Sequence, residues 1–240
     1  MSLCTVIIPT IENCIVATDF LVKELQEKCN SVSKIIFINN KIENSLSYKY
    51  KNYSKVQVIH DLPNLMVNPA WNYGMSLVET KYYCILNDDL LFHGQIIDQI
   101  VNFLEKNDAI NLSTVKTMVD YDLDRIYKNL NDQKYSSEIQ FEIKKFPNEI
   151  KQGWFMLART STWEPVPPCA GLIMFGDNYI YIKNQEKYSG ACIFTNNIIY
   201  HLESSSVSFC EKDKQNYQKK IKPVCPNMQN LWKVDLNFWS

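Results

Sequence analysis

The sequence is short of arginine. Of its 25 Lys and Arg residues only Arg125 and Arg159 carry guanidinium groups. Bidentate clamps on phosphate are therefore scarce, and an anionic ligand must be held by backbone amides, lysine or a metal ion. Glycine is scarce too. The six glycines form neither GxGxxG nor GxxxxGK-Ser/Thr, which excludes the phosphate-cradling loops of Rossmann dehydrogenases, P-loop ATPases and protein kinases. No GxSxG elbow is present, which argues against an α/β-hydrolase.

Neither sign of charge dominates. Twenty-six acidic residues bring the formal net charge to −1, unlike the basic surplus of a dedicated duplex-binding protein. No apolar run approaches the roughly 18 residues of a membrane span. The N-terminus MSLCTVIIPT lacks the positive region and apolar length of a signal peptide. Three histidines and eight cysteines without a CxxC pair argue against structural zinc. Cys4, Cys84 and Cys192 sit in apolar runs, where a reduced thiol acts as a small buried hydrophobe. That usage fits a reducing compartment better than a disulfide scaffold. Together these absences predict a soluble, cytoplasmic or otherwise intracellular protein.

What is present suits one domain over 1–240. The chain is 46% apolar, enough for a sizeable core, and has neither an internal repeat nor a Pro/Gly/Ser linker. Its twenty-four asparagines read first as drift in an AT-rich genome. Cys4–Pro9, Lys34–Ile38, Val56–His60 and Tyr82–Leu86 are short, largely apolar runs of the kind that form buried strands. Between them, residues 16–29 place Val16, Phe20, Leu21, Leu25 and Cys29 at helical spacing. Asn68–Val78 opens with the Asn-Pro pair of a helix start, and Ile96–Leu104 reads as another helix. This alternation predicts a parallel sheet with right-handed crossovers. The second half is less regular. Residues 116–150 read as a polar, mixed or mobile excursion. Gln152–Arg159 and Ile198–His201 read as strands, with Ala170–Lys183 partly helical.

In an open parallel sheet, ligands sit beyond the carboxyl ends of the strands. Pro9-Thr10, Asn39-Asn40, Asp61–Asn68 and Asn87-Asp88-Asp89 fall at such ends. Adjacent carboxylates at a buried strand tip suit a hard divalent ion that could bridge a diphosphate; the alternative is a strand-to-helix turn with Asp or Asn as N-cap. Asp177, in FGDNYI, is either a cap or a general base. His201, ending an apolar strand, is either a hydrogen-bonded structural residue or a further ligand. His60 and His93 read as structural.

This ordered set of motifs resembles the GT-A glycosyltransferases, especially their family 2-like members. The residues that carry the resemblance are CTVIIPT at 4–10, IIFINN at 35–40, NLMVNPAWNYGM at 64–75 and YYCILNDDLLF at 82–92. They continue through QGWFMLART at 152–160, WEPVPPC and FGDNYI across 163–180, and IIYHLESSS at 198–206. The resemblance implies an α/β GT-A fold: a central, mostly parallel sheet flanked by helices, with a smaller acceptor-side sheet. The donor-binding half would span about residues 1–110, and the acceptor half with the tail about 111–240.

It implies a metal-dependent, inverting glycosyltransferase using Mn²⁺ or Mg²⁺ and a nucleotide-sugar donor, UDP- or GDP-linked. Pro9, Thr10 and Asn39 would line the nucleoside pocket, with Asn68 and Asn72 near the donor. Asn87 and Asp88 would lie near ribose and diphosphate. Asp89 and His201 would ligate the metal, and Asp177 would deprotonate the acceptor. Asn87 stands where the DxD motif has aspartate, and Asn39-Asn40 where many relatives carry an acid.

Two alternatives stay open: a sugar-1-phosphate nucleotidyltransferase, although TIENC at 10–14 lacks the expected Gly- and cation-rich signature, and a non-catalytic nucleotide-sugar-binding module. The acceptor would be a glycan, glycolipid, protein or, less in keeping with the charge, modified nucleic acid. The lysine-rich stretch Glu211–Lys222, followed by Trp232, Phe238 and Trp239, reads as a solvated terminus, or as an acceptor-side lid or peripheral contact with an anionic membrane surface.

Overall fold

Apolar runs end in polar strand tips along one edge of a single mixed sheet. The computed structural model describes residues 3–41, 45–132, 135–145, 153–173 and 175–202. The expectations about Gln152, Ser204–Ser206 and the lysine-rich, aromatic tail therefore lie outside the described residues. The strands are β1 (Cys4–Thr10), β2 (Val32–Asn39), β3 (Val56–Ile59), β4 (Tyr82–Leu86), β5 (Leu90–Leu91), β6 (Ser113–Val119), β7 (Phe141–Lys144), β8 (Phe155–Arg159) and β9 (Ala191–His201). The helices are α1 (Ile15–Glu27), α2 (Ser45–Lys49), α3 (Asn68–Ser76), α4 (Gln95–Leu104), α5 (Leu123–Asp132) and α6 (Gly176–Lys187).

The strand order is β3-β2-β1-β4-β8-β6-β9-β5, with β7 also on β9. The first four strands are parallel neighbours, as the strand–helix alternation predicts. β8 then runs antiparallel to β4. The strands of the second half continue the same sheet through β6, which runs parallel to β9.

Alternation along the strands sorts side chains onto two faces. Val6, Ile8, Phe37, Cys84 and Leu86 face a core closed by α1 and α4. Ile7, Ile36, Tyr83 and Ile85 face a second core closed by α3 and α6. Each such aliphatic side chain contributes about 1.5–3 kcal/mol on burial, so both layers hold the strand tips in register. Cys4, Cys29, Cys84 and Cys192 are free, buried thiols in these layers. Burial pushes Cys29 and Cys192 up to about 12, which leaves them protonated and inert.

Residues 116–150, expected to be a mixed or mobile excursion, carry the end of β6, α5 and β7. The reason is a narrow apolar stripe. Ile126 and Leu130, four residues apart on the polar helix α5, pack on Tyr200 and Ala17. Val16, expected on the apolar face of α1, is 52% exposed; Leu21 and Leu25 supply that face.

Candidate active site

The Asn87-Asp88-Asp89 triplet is a strand-to-strand link and caps no helix. It leaves fully buried β4 and enters β5, whose Leu90 pairs with His201 of β9. The backbone N–H of Leu202 donates to the Asp89 carbonyl at 3.0 Å. This pairing puts Asp89 and His201 side by side, with Oδ2 to Nε2 at 3.2 Å. Asp88 points instead toward β1, where the Thr10 hydroxyl donates to its Oδ2 at 2.5 Å. Burial pushes the Asp88 carboxyl up to about 6, against the opposing pull of the Thr10 hydrogen bond. The Asn87 N–H donates to the carbonyl of Trp154 at 3.0 Å.

These strand ends open into a cleft of about 730 Å³. Pro9, Thr10 and Ile11 form one wall, Asn87, Asp88 and Asp89 the floor, and Asn40, Asn64, Met66, Val67 and Ile173 the remainder. Of the residues expected around the donor, Pro9, Thr10, Asn87 and Asp88 line this cleft. Asn39, Asn68 and Asn72 do not, because their carboxamides are engaged elsewhere. Asn39 is buried, donates to Glu12 Oε1 at 2.7 Å and accepts from the Lys41 N–H at 3.0 Å. Its neighbour Asn40 takes the wall position and clasps the 64–67 loop through Leu65 N and Met66 O. Asn68 donates to the Gly171 carbonyl at 3.1 Å. Asn72 donates to the Val166 carbonyl and accepts from its N–H, both at 2.8 Å.

Glu12 was not legible as a site residue. Its side chain is only 2% exposed and faces Lys41 at 3.5 Å. It also receives the Ser45 hydroxyl, while its backbone sits at φ 61. An acid in a β1–α1 loop signals nothing by itself, since its partners come from β2 and α2.

Asp177 lies in the first turn of α6, but the capping position belongs to Phe175, at φ 66. A carboxylate there faces the positive end of the helix dipole. Two glycines set its surroundings. A Cβ on Gly176 would come within 2.1 Å of Asn68 Oδ1, so only glycine lets α6 approach α3 this closely. A Cβ on Gly153 would come within 2.7 Å of Asp177 Oδ2. Next to Gly153, the Trp154 ring stacks on His201, with centroids 4.7 Å apart and 23° between planes. Asp177, His201 and Asn87 thus all contact the Gly153–Trp154 step.

The donor set suits a hard divalent ion. Asp89 Oδ1 is buried without a hydrogen-bond partner, a cost that an ion or its water would relieve. The 3.2 Å between Oδ2 and Nε2 matches two ligands that each lie about 2.0–2.2 Å from a shared ion. No group of three His, Cys, Asp or Glu gathers among the described residues. Two protein ligands leave positions for water and substrate oxygens, as Mg²⁺ usually requires.

Cationic side chains are absent from the described lining of the cleft. Arg159 donates to the carbonyls of Leu104 and Asn107 at 2.6 and 3.2 Å, and Arg125 is paired with Asp120. Both guanidiniums hold the fold together.

A sequence profile described as glycosyl transferase family 2 matches residues 5–164 of the chain. A search of curated proteins returned no match. Among solved structures, the chain is similar to S. aureus TarS 1-349, at TM-score 0.62 and 14% identity, over 87% of this chain and 62% of that one. The same protein in complex with UDP gives TM-score 0.63 at 13% identity, over 87% and 62%. Its complex with UDP-GlcNAc gives 0.60 at 12%, over 85% and 59%. The chain thus spans about three fifths of those structures. At that identity the likeness is one of fold: helices on both faces of a central sheet, the GT-A arrangement.

Proposed function

The chain belongs to glycosyl transferase family 2, and from that premise we propose that it transfers a sugar from a UDP-linked donor to an acceptor hydroxyl, with inversion. The observation that carries this reading is the cleft at the ends of β1 and β4. Two adjacent carboxylates line it, and no described cation does. A diphosphate entering such a site is repelled unless a divalent ion accompanies it.

Asp89 and His201 are the residues that would hold that ion. When bound, it supplies charge neutralisation to the departing diphosphate. Asp88, tied to Thr10, lines the floor on the β1 side. Pro9, Thr10 and Asn40 contribute a narrow, largely uncharged wall suited to a nucleoside. Asp177 reaches the same neighbourhood from α6 and would take the proton from the acceptor hydroxyl as it attacks. Base and leaving group then lie on opposite sides of the transferred sugar, as inversion requires. UDP is favoured over GDP because the similar structures were solved with UDP and UDP-GlcNAc. Family membership, together with the acidic Glu12 in the β1–α1 loop, argues against a nucleotidyltransferase.

The test is release of UDP or GDP from a panel of nucleotide sugars with Mn²⁺, Mg²⁺ or EDTA. The expected result is ion-dependent release of UDP. Equal release in EDTA would contradict the metal assignment, and no release from any donor would favour a binding module.

A further inference from the structure

We propose that the Gly153–Trp154 step is a positioning element that holds the acceptor-side base and the ion-side histidine in one geometry. The inference rests on the roles proposed above for Asp177 and His201. Gly153 acts by leaving the space that the Asp177 carboxylate occupies. Trp154 acts by fixing the imidazole plane of His201.

The Gly153 half of the argument is steric. A Cβ there would lie 2.5 Å from Asp177 Cβ, 2.7 Å from its Oδ2 and 2.8 Å from its Cγ. Real Cβ contacts do not come so close, so any side chain at 153 must displace Asp177, its Cβ as well as its carboxylate. Among the described glycines only Gly171 has positive φ. Gly153 is therefore required by the space and not by a left-handed backbone.

The Trp154 half rests on what His201 lacks. A metal-ligating histidine usually donates its second ring N–H to a carboxylate or carbonyl, which fixes the ring. Here Nδ1 is buried without a partner, and the stacked indole takes over that task. The indole is itself anchored. Its Nε1–H donates to Thr117 Oγ1 at 3.0 Å, and that hydroxyl donates to the Val115 carbonyl at 3.1 Å. The Trp154 carbonyl also accepts the Asn87 N–H at 3.0 Å. One peptide unit thus ties together Asn87, Asp177 and His201, which lie 24 to 114 residues apart in sequence.

The two residues should therefore fail differently. Gly153→Ala is expected to lower the melting temperature by about 2–4 °C, and to have no such further effect in an Asp177→Gly background, where the opposing Cβ and carboxylate are both gone. It should lower kcat for UDP-GlcNAc turnover about 10²-fold, with Mn²⁺ and UDP affinity unchanged. Trp154→Ala should weaken Mn²⁺ binding, read by electron paramagnetic resonance in the presence of UDP, about 10–100-fold. Trp154→Phe, which keeps a ring over His201, should restore part of that loss.

The proposal is overturned if Gly153→Ala costs the same in both backgrounds, or if Trp154→Ala leaves Mn²⁺ affinity intact. It is also overturned if Gly153→Ala weakens Mn²⁺ binding as much as Trp154→Ala does. Wild-type protein that binds neither UDP nor Mn²⁺ overturns the reading of the site and this proposal together. A wild type that binds both, with silent variants, overturns the positioning role alone.

Discussion

The two sides of the cleft are built by opposite means. The donor side is a set of parallel strand tips, β1, β2 and β4, each buried and held by ladder hydrogen bonds to its neighbours. The acceptor side is mostly loop. It contains two 3-10 turns, Thr160–Thr162 and Pro168–Ala170, with Gly171 at φ 90 and Phe175 at φ 66. What holds that loop is the donor half. Val67 and Asn68 donate backbone N–H groups to the Leu172 carbonyl at 3.0 and 2.9 Å, Asn68 reaches Gly171, and Asn72 clasps Val166. Asparagines that the motif places near the donor thus act as fasteners between the halves. On the function proposed above, the rigid side would supply the ion and nucleotide contacts, and the fastened side would supply the base.

That division predicts a graded set of effects. Asp89→Ala removes the proposed ion ligand, worth several kcal/mol of charge stabilisation, so turnover of UDP-GlcNAc should fall about 10⁴-fold, together with Mn²⁺-dependent UDP binding. Asp177→Asn should lower kcat about 10³-fold while UDP and Mn²⁺ bind as in wild type. Loss of both by the second variant would erase the distinction between the halves.

Asn72→Ala leaves the N–H and carbonyl of Val166 without their partners. Denaturant unfolding should show a loss of about 1–3 kcal/mol, and kcat should fall while UDP affinity holds. A fall in UDP affinity with kcat intact would return Asn72 to the donor. Smallest is Glu12→Gln, which keeps the shape but weakens the charge-assisted contacts to Lys41 and Asn39, by about 1 kcal/mol. Its signature should be weaker UDP binding, measured by calorimetry, with the kcat of bound donor unchanged.

The same contrast explains what could be read in the sequence. β1, β2 and β4 announce themselves as apolar runs ending in Thr10, Asn39 and Asn87, because a strand buried on both faces needs little but apolar side chains. The Asn87-Asp88-Asp89 triplet and His201 were visible because polar groups at such ends are chemically out of place. The partners of Asn72 and Asn68 were not, since they lie 94 and 103 residues away. A carboxamide carries no mark of whether it will meet a ligand or a backbone. Trp154 lay in plain sight within QGWFMLART, yet nothing local to it points to His201. The helix α5 leaves little trace in the sequence because its buried residues are only Ile126 and Leu130.

Calorimetric titration of UDP into the wild-type protein, with Mn²⁺ and then with EDTA, tests the central claim most directly: a cleft lined by carboxylates and no described cation takes a diphosphate only with an ion. The account predicts saturable binding in Mn²⁺ that disappears in EDTA and in the Asp89→Ala protein. UDP binding of equal strength in EDTA, unaffected by Asp89→Ala, would contradict it.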